Sequence, residues 1–160
     1  MKRVLVFAKV FALSLVTSGL LLAQGTPDPL VGTWKLNPAK SKFSPESLAL
    51  KSETLQYEMQ GETLKVTADS VRQDGTAQHQ SYTAMFDGKE YPVTGDPDRD
   101  SGTSKRIDAY TTEVVGKKAG KPSITYRRVV SKDGKTLTLR ATGTDAKGEK
   151  VNEVAVFDKQ

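Results

Sequence analysis

The chain has 160 residues, with 24 Lys and Arg against 19 Asp and Glu, one His and no Cys. The lack of cysteine excludes both a disulfide scaffold and a thiolate metal centre. A formal charge of +5 and a pI near 9.3 would invite a nucleic-acid reading, but Lys2, Arg3 and Lys9 fall within the first 25 residues, which hold no acidic residue. The remainder carries 21 basic against 19 acidic groups, a net of about +2, and the main support for nucleic acid as a partner disappears.

In chain order, the first feature is Lys2, Arg3 and Lys9 ahead of an apolar run from Val10 to Leu22, closed by Ala23-Gln24-Gly25. Small residues at that spacing are what signal peptidase reads, so residues 1–25 are expected to be a secretory signal peptide cut after Gly25, or second after Ala23. Lys9 interrupts the roughly 20 apolar residues that a membrane anchor needs, so no membrane span is expected after cleavage. A lipoprotein would need a cysteine at the cut. Residues 26–160 then suit one domain, large enough to bury its core without staples, in the periplasm or outside the cell.

The mature part reads as a succession of short strands near 30–36, 48–59, 62–72, 77–86, 88–93, 103–108, 110–116, 122–131, 135–143 and 150–158. Turn pairs at Gln60-Gly61, Asp74-Gly75, Asp87-Gly88, Asp133-Gly134 and Lys147-Gly148 separate them, and Asp-Gly suits the positive φ of tight hairpins. Between turns the period is two: Leu55, Tyr57 and Met59 share a face, as do Leu64, Val66 and Ala68, or Leu137, Leu139 and Ala141. Residues 37–47, with Pro38 and Pro45, leave room for one helical turn at most. About ten sequential strands, each apolar on one side, predict an all-β fold: an up-and-down antiparallel β-barrel of about 8–10 strands, with a two-sheet sandwich as the alternative.

Gly32-Thr33-Trp34, followed by a meander, resembles the first-strand motif of the lipocalin and fatty-acid-binding protein (calycin) group. The stretch Gly32 to Phe43 and the segment Asp133 to Thr138 are also similar to a family of small secreted bacterial proteins described as lipocalin-like. The resemblance implies a lipocalin-like barrel over 26–160, with Trp34, the only Trp, closing its narrow end. Gly32 would let another backbone approach, and a basic side chain from a late strand would lie across the indole: Arg140 as first choice, Lys159 as second. Two departures count against fatty acid as the ligand. Residues 37–47 are too short for the lid helices of fatty-acid-binding proteins, and Val154-Ala155-Val156-Phe157 stands where those proteins have Arg-x-Tyr.

No nucleophile elbow, Gly-rich phosphate loop, cofactor motif or His cluster is present, and His79 is the only imidazole. It sits at parity with Ala77, Ser81 and Thr83, a mildly polar face, so a solvated strand position is expected and no catalytic role. Asp96-Pro97-Asp98-Arg99-Asp100 resembles half of a calcium loop, but Ser101 and Ile107 occupy the positions where Gly and Glu are required. A solvated strand connection, or a rim loop at a barrel mouth, is expected instead. Arg128 shares parity with Ile124 and Tyr126 and so faces inward, where a charge needs a carboxylate or a ligand; Glu113 and Glu153 are the candidate partners. A barrel of this width leaves a cavity. The expected function is non-covalent binding of a small hydrophobic or amphipathic molecule by Tyr57, Tyr82, Phe86, Tyr126 and Arg128, without cofactor or metal. The alternative is a cell-envelope interaction or inhibitor barrel with no small-molecule ligand.

Overall fold

The computed structural model describes residues 27–160; the expected signal peptide and its cleavage point lie outside the described residues. Ten strands follow one another: β1 (Gly32–Leu36), β2 (Leu50–Gln60), β3 (Thr63–Arg72), β4 (Ala77–Ala84), β5 (Asp87–Thr94), β6 (Ser101–Arg106), β7 (Thr111–Lys118), β8 (Lys121–Val130), β9 (Thr136–Thr144) and β10 (Lys150–Lys159). Each pairs antiparallel with its sequence neighbour, and β1 pairs with β10 to close the barrel. Closure removes every free edge that an open meander of this length would expose. Where β1 seals the ring, Trp34 lies opposite Leu55 of β2 on one side and Lys159 of β10 on the other.

The all-β barrel and most strand limits agree with the period-two reading, because one-sided apolar faces admit few other arrangements. Three local readings differ. Residues 37–49 form two short 3-10 turns, Pro38–Lys40 and Glu46–Leu48, held to β10 where Lys42 N–H donates to the Val154 carbonyl at 2.8 Å. Asp87-Gly88 is not a hairpin tip: Asp87 already pairs with Lys105 of β6, and the chain turns at 85–86. Met59, expected inward, is exposed at the end of β2 beside the Gly61 turn.

The fully buried side chains Trp34, Tyr57, Leu64, Leu137 and Phe157 belong to one apolar cluster. Trp34 is 0% exposed and its indole N–H donates to the Leu30 carbonyl at 2.9 Å, so burying the ring strands no donor. Strands β4 and β5 share only the pairs Ser81–Thr94 and Tyr82–Val93, the shortest seam in the barrel. Gly95 follows it with φ +81, and a Cβ there would stand 2.0 Å from the His79 carbonyl oxygen. Only glycine lets the 95–100 connection turn this close to β4.

Candidate functional site

One end of the barrel is stopped by Trp34, Leu30 and Lys159. The other carries the connections 37–49, 73–76, 95–100, 119–120 and 145–149, and beneath them lies a cavity of about 130 Å³. Its apolar lining includes Leu55, Val66, Ile124, Leu139 and Ala155 from five strands, with Phe43 and Leu48 from the 37–49 connection. Ligand pockets for drug-sized molecules run to roughly 300 Å³ and above, whereas a dry cavity of roughly 150 Å³ accommodates a single benzene ring. The void is narrower than ten strands alone would leave, because large polar side chains fill part of it.

Arg128 of β8 is the central one. It is 3% exposed, its Nη2 donates to the Tyr82 hydroxyl at 2.5 Å, and its guanidinium lies 5.3 Å from the centre of the Tyr57 ring. Neither carboxylate expected for it is its partner. Glu113 is 3.9 Å from Arg127, the neighbour of opposite parity on the outer face. The Nε and Nη1 atoms of Arg128 are buried with no hydrogen-bond partner among the described residues. Burial raises the Tyr57 and Tyr126 phenols well above the usual range, so both stay neutral around the guanidinium.

Arg99 is the second cation, and the sequence reading missed it. The stretch 96–100 does lie at the mouth, but it is not solvated throughout: Arg99 is 5% exposed and stacks between the Tyr126 ring at 4.6 Å and the Tyr82 ring at 5.2 Å. Its Nε donates to Asp96 Oδ2 at 2.6 Å, while its Nη1 is buried without a partner among the described residues. The three aspartates diverge. Asp96 Oδ1 accepts the Asp98 N–H, Asp98 Oδ1 accepts the Ala146 N–H, and Asp100 Oδ2 accepts the Ala119 N–H, each at 2.9–3.0 Å. Among the described residues no group of three or more metal-ligating side chains is placed to hold an ion.

Two carboxylates also line the cavity, Glu53 of β2 and Glu153 of β10. Burial, the opposing Glu153 and then Asp96 push Glu53 up to about 7. Burial likewise raises Glu153 to about 7, with Arg72 opposing and Asp98 adding to the shift. Both were legible by parity: Glu53 precedes Leu55 and Tyr57 by steps of two, and Glu153 lies between Val151 and Ala155 in the same way. The rule that brought Arg128 inward applies to them equally.

Of the five expected ligand residues, Tyr57, Tyr82, Tyr126 and Arg128 line the cavity and Phe86 does not. Phe86 sits in the β4–β5 connection at the closed end, where it packs on the core under Arg106 at 4.3 Å. Arg140 is exposed on the outer face of β9, because the inward positions are Leu137, Leu139 and Ala141. Lys159 takes the role expected of Arg140: its Nζ is 4.9 Å from the Trp34 ring centre, at the same parity as Phe157. Gly32 makes room for this side chain rather than for a backbone; a Cβ there would lie 2.9 Å from Lys159 Cε. His79 is exposed on the outer wall, its Nδ1 2.6 Å from Asp69 Oδ1.

The closed ring, the Trp-stopped end and the lined interior define a calycin-type β-barrel fold. Among solved structures, a crystal structure of zebrafish ileal bile acid-binding protein complexed with cholic acid is similar, with a TM-score of 0.50 at 13% identity, covering 82% of this chain and 99% of that one. No family model matches the chain, and no curated protein does. The likeness bears on the fold.

Proposed function

We propose that this chain is a secreted bacterial barrel, periplasmic or extracellular, that binds one small amphipathic acid without transforming it. The observation that carries the reading is Arg128, buried and lining the cavity, with two guanidinium nitrogens unpartnered among the described residues. Stranding such donors costs about 1–3 kcal/mol or more for a charged group, and a ligand carboxylate would offer them a charge-assisted acceptor. The Tyr82 hydroxyl fixes one edge of the fork, and Leu55, Val66, Leu139 and Ala155 give the ligand's tail an apolar wall. The basic start, apolar run and Ala-x-Gly site of residues 1–25 support secretion, and no helix among the described residues is long and apolar enough to cross a membrane. That a barrel of like fold is described in complex with cholic acid supports an acid-bearing ligand class. The cavity volume favours a far smaller acid than a steroid.

The test is native mass spectrometry and calorimetry on the chain as processed by a bacterial secretion host, titrated with hexanoate, 3-phenylpropionate and cholate. Hexanoate or 3-phenylpropionate should bind at one site, weakened by about tenfold or more in Arg128→Met, with cholate weaker than either. Absence of binding by all three, or binding indifferent to Arg128, overturns the reading.

A further inference from the structure

The cavity is charged at two places that do not neutralise one another. Its deep part presents the free edge of Arg128, set by the Tyr82 hydroxyl and the Tyr57 ring. Its mouth presents Glu53 and Glu153, inward residues of β2 and β10, and among the described residues neither carboxylate has a hydrogen bond or an ion pair. Of the other charges there, Asp96 and Asp98 are engaged, while Arg72 lines the same mouth and opposes the upward shift of Glu153 without forming an ion pair with it. Asp96 is held by Arg99, Asp98 by the Ala146 N–H, and Arg72 reaches the Gln78 side chain at 3.4 Å.

A buried guanidinium and two carboxyl groups lining one small cavity without partners are a costly arrangement unless something spans them. Protein side chains could have removed the cost by pairing directly, but Arg128 is fixed on the far wall by its tyrosines. Building on the acid-binding reading above, we infer that the ligand is a small zwitterion, its carboxylate on Arg128 and a protonated amine between Glu53 and Glu153 at the mouth. The chemical class is an amino acid with its amine and acid separated by a short apolar spacer that lies against Leu55, Val66 and Leu139.

The pair's titration gives the site a pH signature. Glu53 and Glu153 are both lifted to about 7, so in the empty cavity they are largely protonated below that pH and accept an ammonium only after losing protons. Affinity for the amine should therefore rise as pH increases through 7 and level off above it. The Arg128 contact, whose guanidinium does not titrate in this range, contributes no such dependence.

Calorimetry with ω-amino acids of increasing spacer length, from 4-aminobutanoate to 8-aminooctanoate, tests this against the matched plain acids and amines. One spacer length should bind about tenfold or more tighter than its plain acid at about pH 8, as a charge-assisted contact predicts. The advantage should vanish at about pH 5.5 and in the Glu53→Gln/Glu153→Gln variant, whose plain-acid affinity should hold or improve. If plain acids bind through Arg128 and the amine adds nothing at any pH, the zwitterion inference falls and the acid-binding reading stands. If no acid binds at all, both fall. The pH profile of the unaltered chain decides the matter even if the double variant does not fold.

Discussion

At the closed end of the barrel Trp34 is fully buried, its single donor meets the Leu30 carbonyl at 2.9 Å, and Lys159 covers its ring. In the cavity that opens at the other end, Arg128 is almost as buried, yet among the described residues two of its three nitrogens have no partner, and two glutamates face the same space unpaired. Both ends are built by the same alternation on neighbouring strands, so the difference is not one of architecture. One end spends its polar atoms on itself and closes. The other keeps them uncommitted, as binding sites do at some cost to stability.

The comparison can be broken most directly at Trp34. Trp34→Ala should destabilise the barrel by about 3–5 kcal/mol, the usual range for a fully buried large aromatic, read by urea denaturation with an unchanged slope. A loss below about 1 kcal/mol would mean that the closed end is not where the fold is anchored.

The next largest effect is the pH dependence of stability. Glu53 and Glu153 sit near 7 when folded, above their ordinary 4.5, so the folded chain binds more protons than the unfolded chain in between. Their contribution is fully present below about pH 4.5, is lost as pH rises to about 7 and is then absent, on the order of a few kcal/mol for the pair once solvent screening at the mouth is discounted. Denaturation from about pH 5 to pH 8 should show stability declining, and Glu53→Gln/Glu153→Gln should flatten that decline. A flat profile in the unaltered chain would show that these carboxylates are better solvated than their position implies.

Arg128 sharpens the contrast because its removal should help the fold. In Arg128→Met/Tyr82→Phe the unpaired charge goes, and the hydroxyl that accepted its hydrogen bond goes with it. Replacing buried ions by apolar groups of similar volume is often neutral or stabilising by about 1–4 kcal/mol, and the melting temperature should hold or rise. A fall worth more than about 2 kcal/mol would place Arg128 among the structural residues instead.

The strand count, the barrel and the inward Arg128 were legible because a period of two carries all three, while Trp34 at the closed end followed from the resemblance carried by Gly32-Thr33-Trp34. What was not legible came from connections and from charge on the apolar face. Arg99 lies in a stretch with the composition of a solvated loop, and nothing local shows that it will fold back between Tyr82 and Tyr126; that depends on Gly95 meeting β4 and on the width of the barrel. Glu53 and Glu153 were legible in principle, since parity places them inward, but Glu53 was passed over and Glu153 was read only as a partner for Arg128. Phe86 was misplaced because it follows the end of β4, where alternation no longer fixes a face.

Lys159 and Arg140 offer the smallest and most discriminating test. The two cations differ by parity alone: Arg140 alternates with Leu139 and Ala141 and so points out, while Lys159 continues the inward row of Phe157 and reaches Trp34 at 4.9 Å. An exposed cation over an indole is worth about 0.5–1 kcal/mol, and the lysine stem adds contact with the ring. Lys159→Ser should therefore lower stability by about that much, whereas Arg140→Ser should change it by less than about 0.5 kcal/mol. Combining each with Trp34→Phe isolates the contact: the Lys159 effect should shrink on the smaller ring and the Arg140 effect should not move. If Arg140 proved the costlier of the two, the outer face of β9 would have to be packed against something, most simply a second copy of the chain.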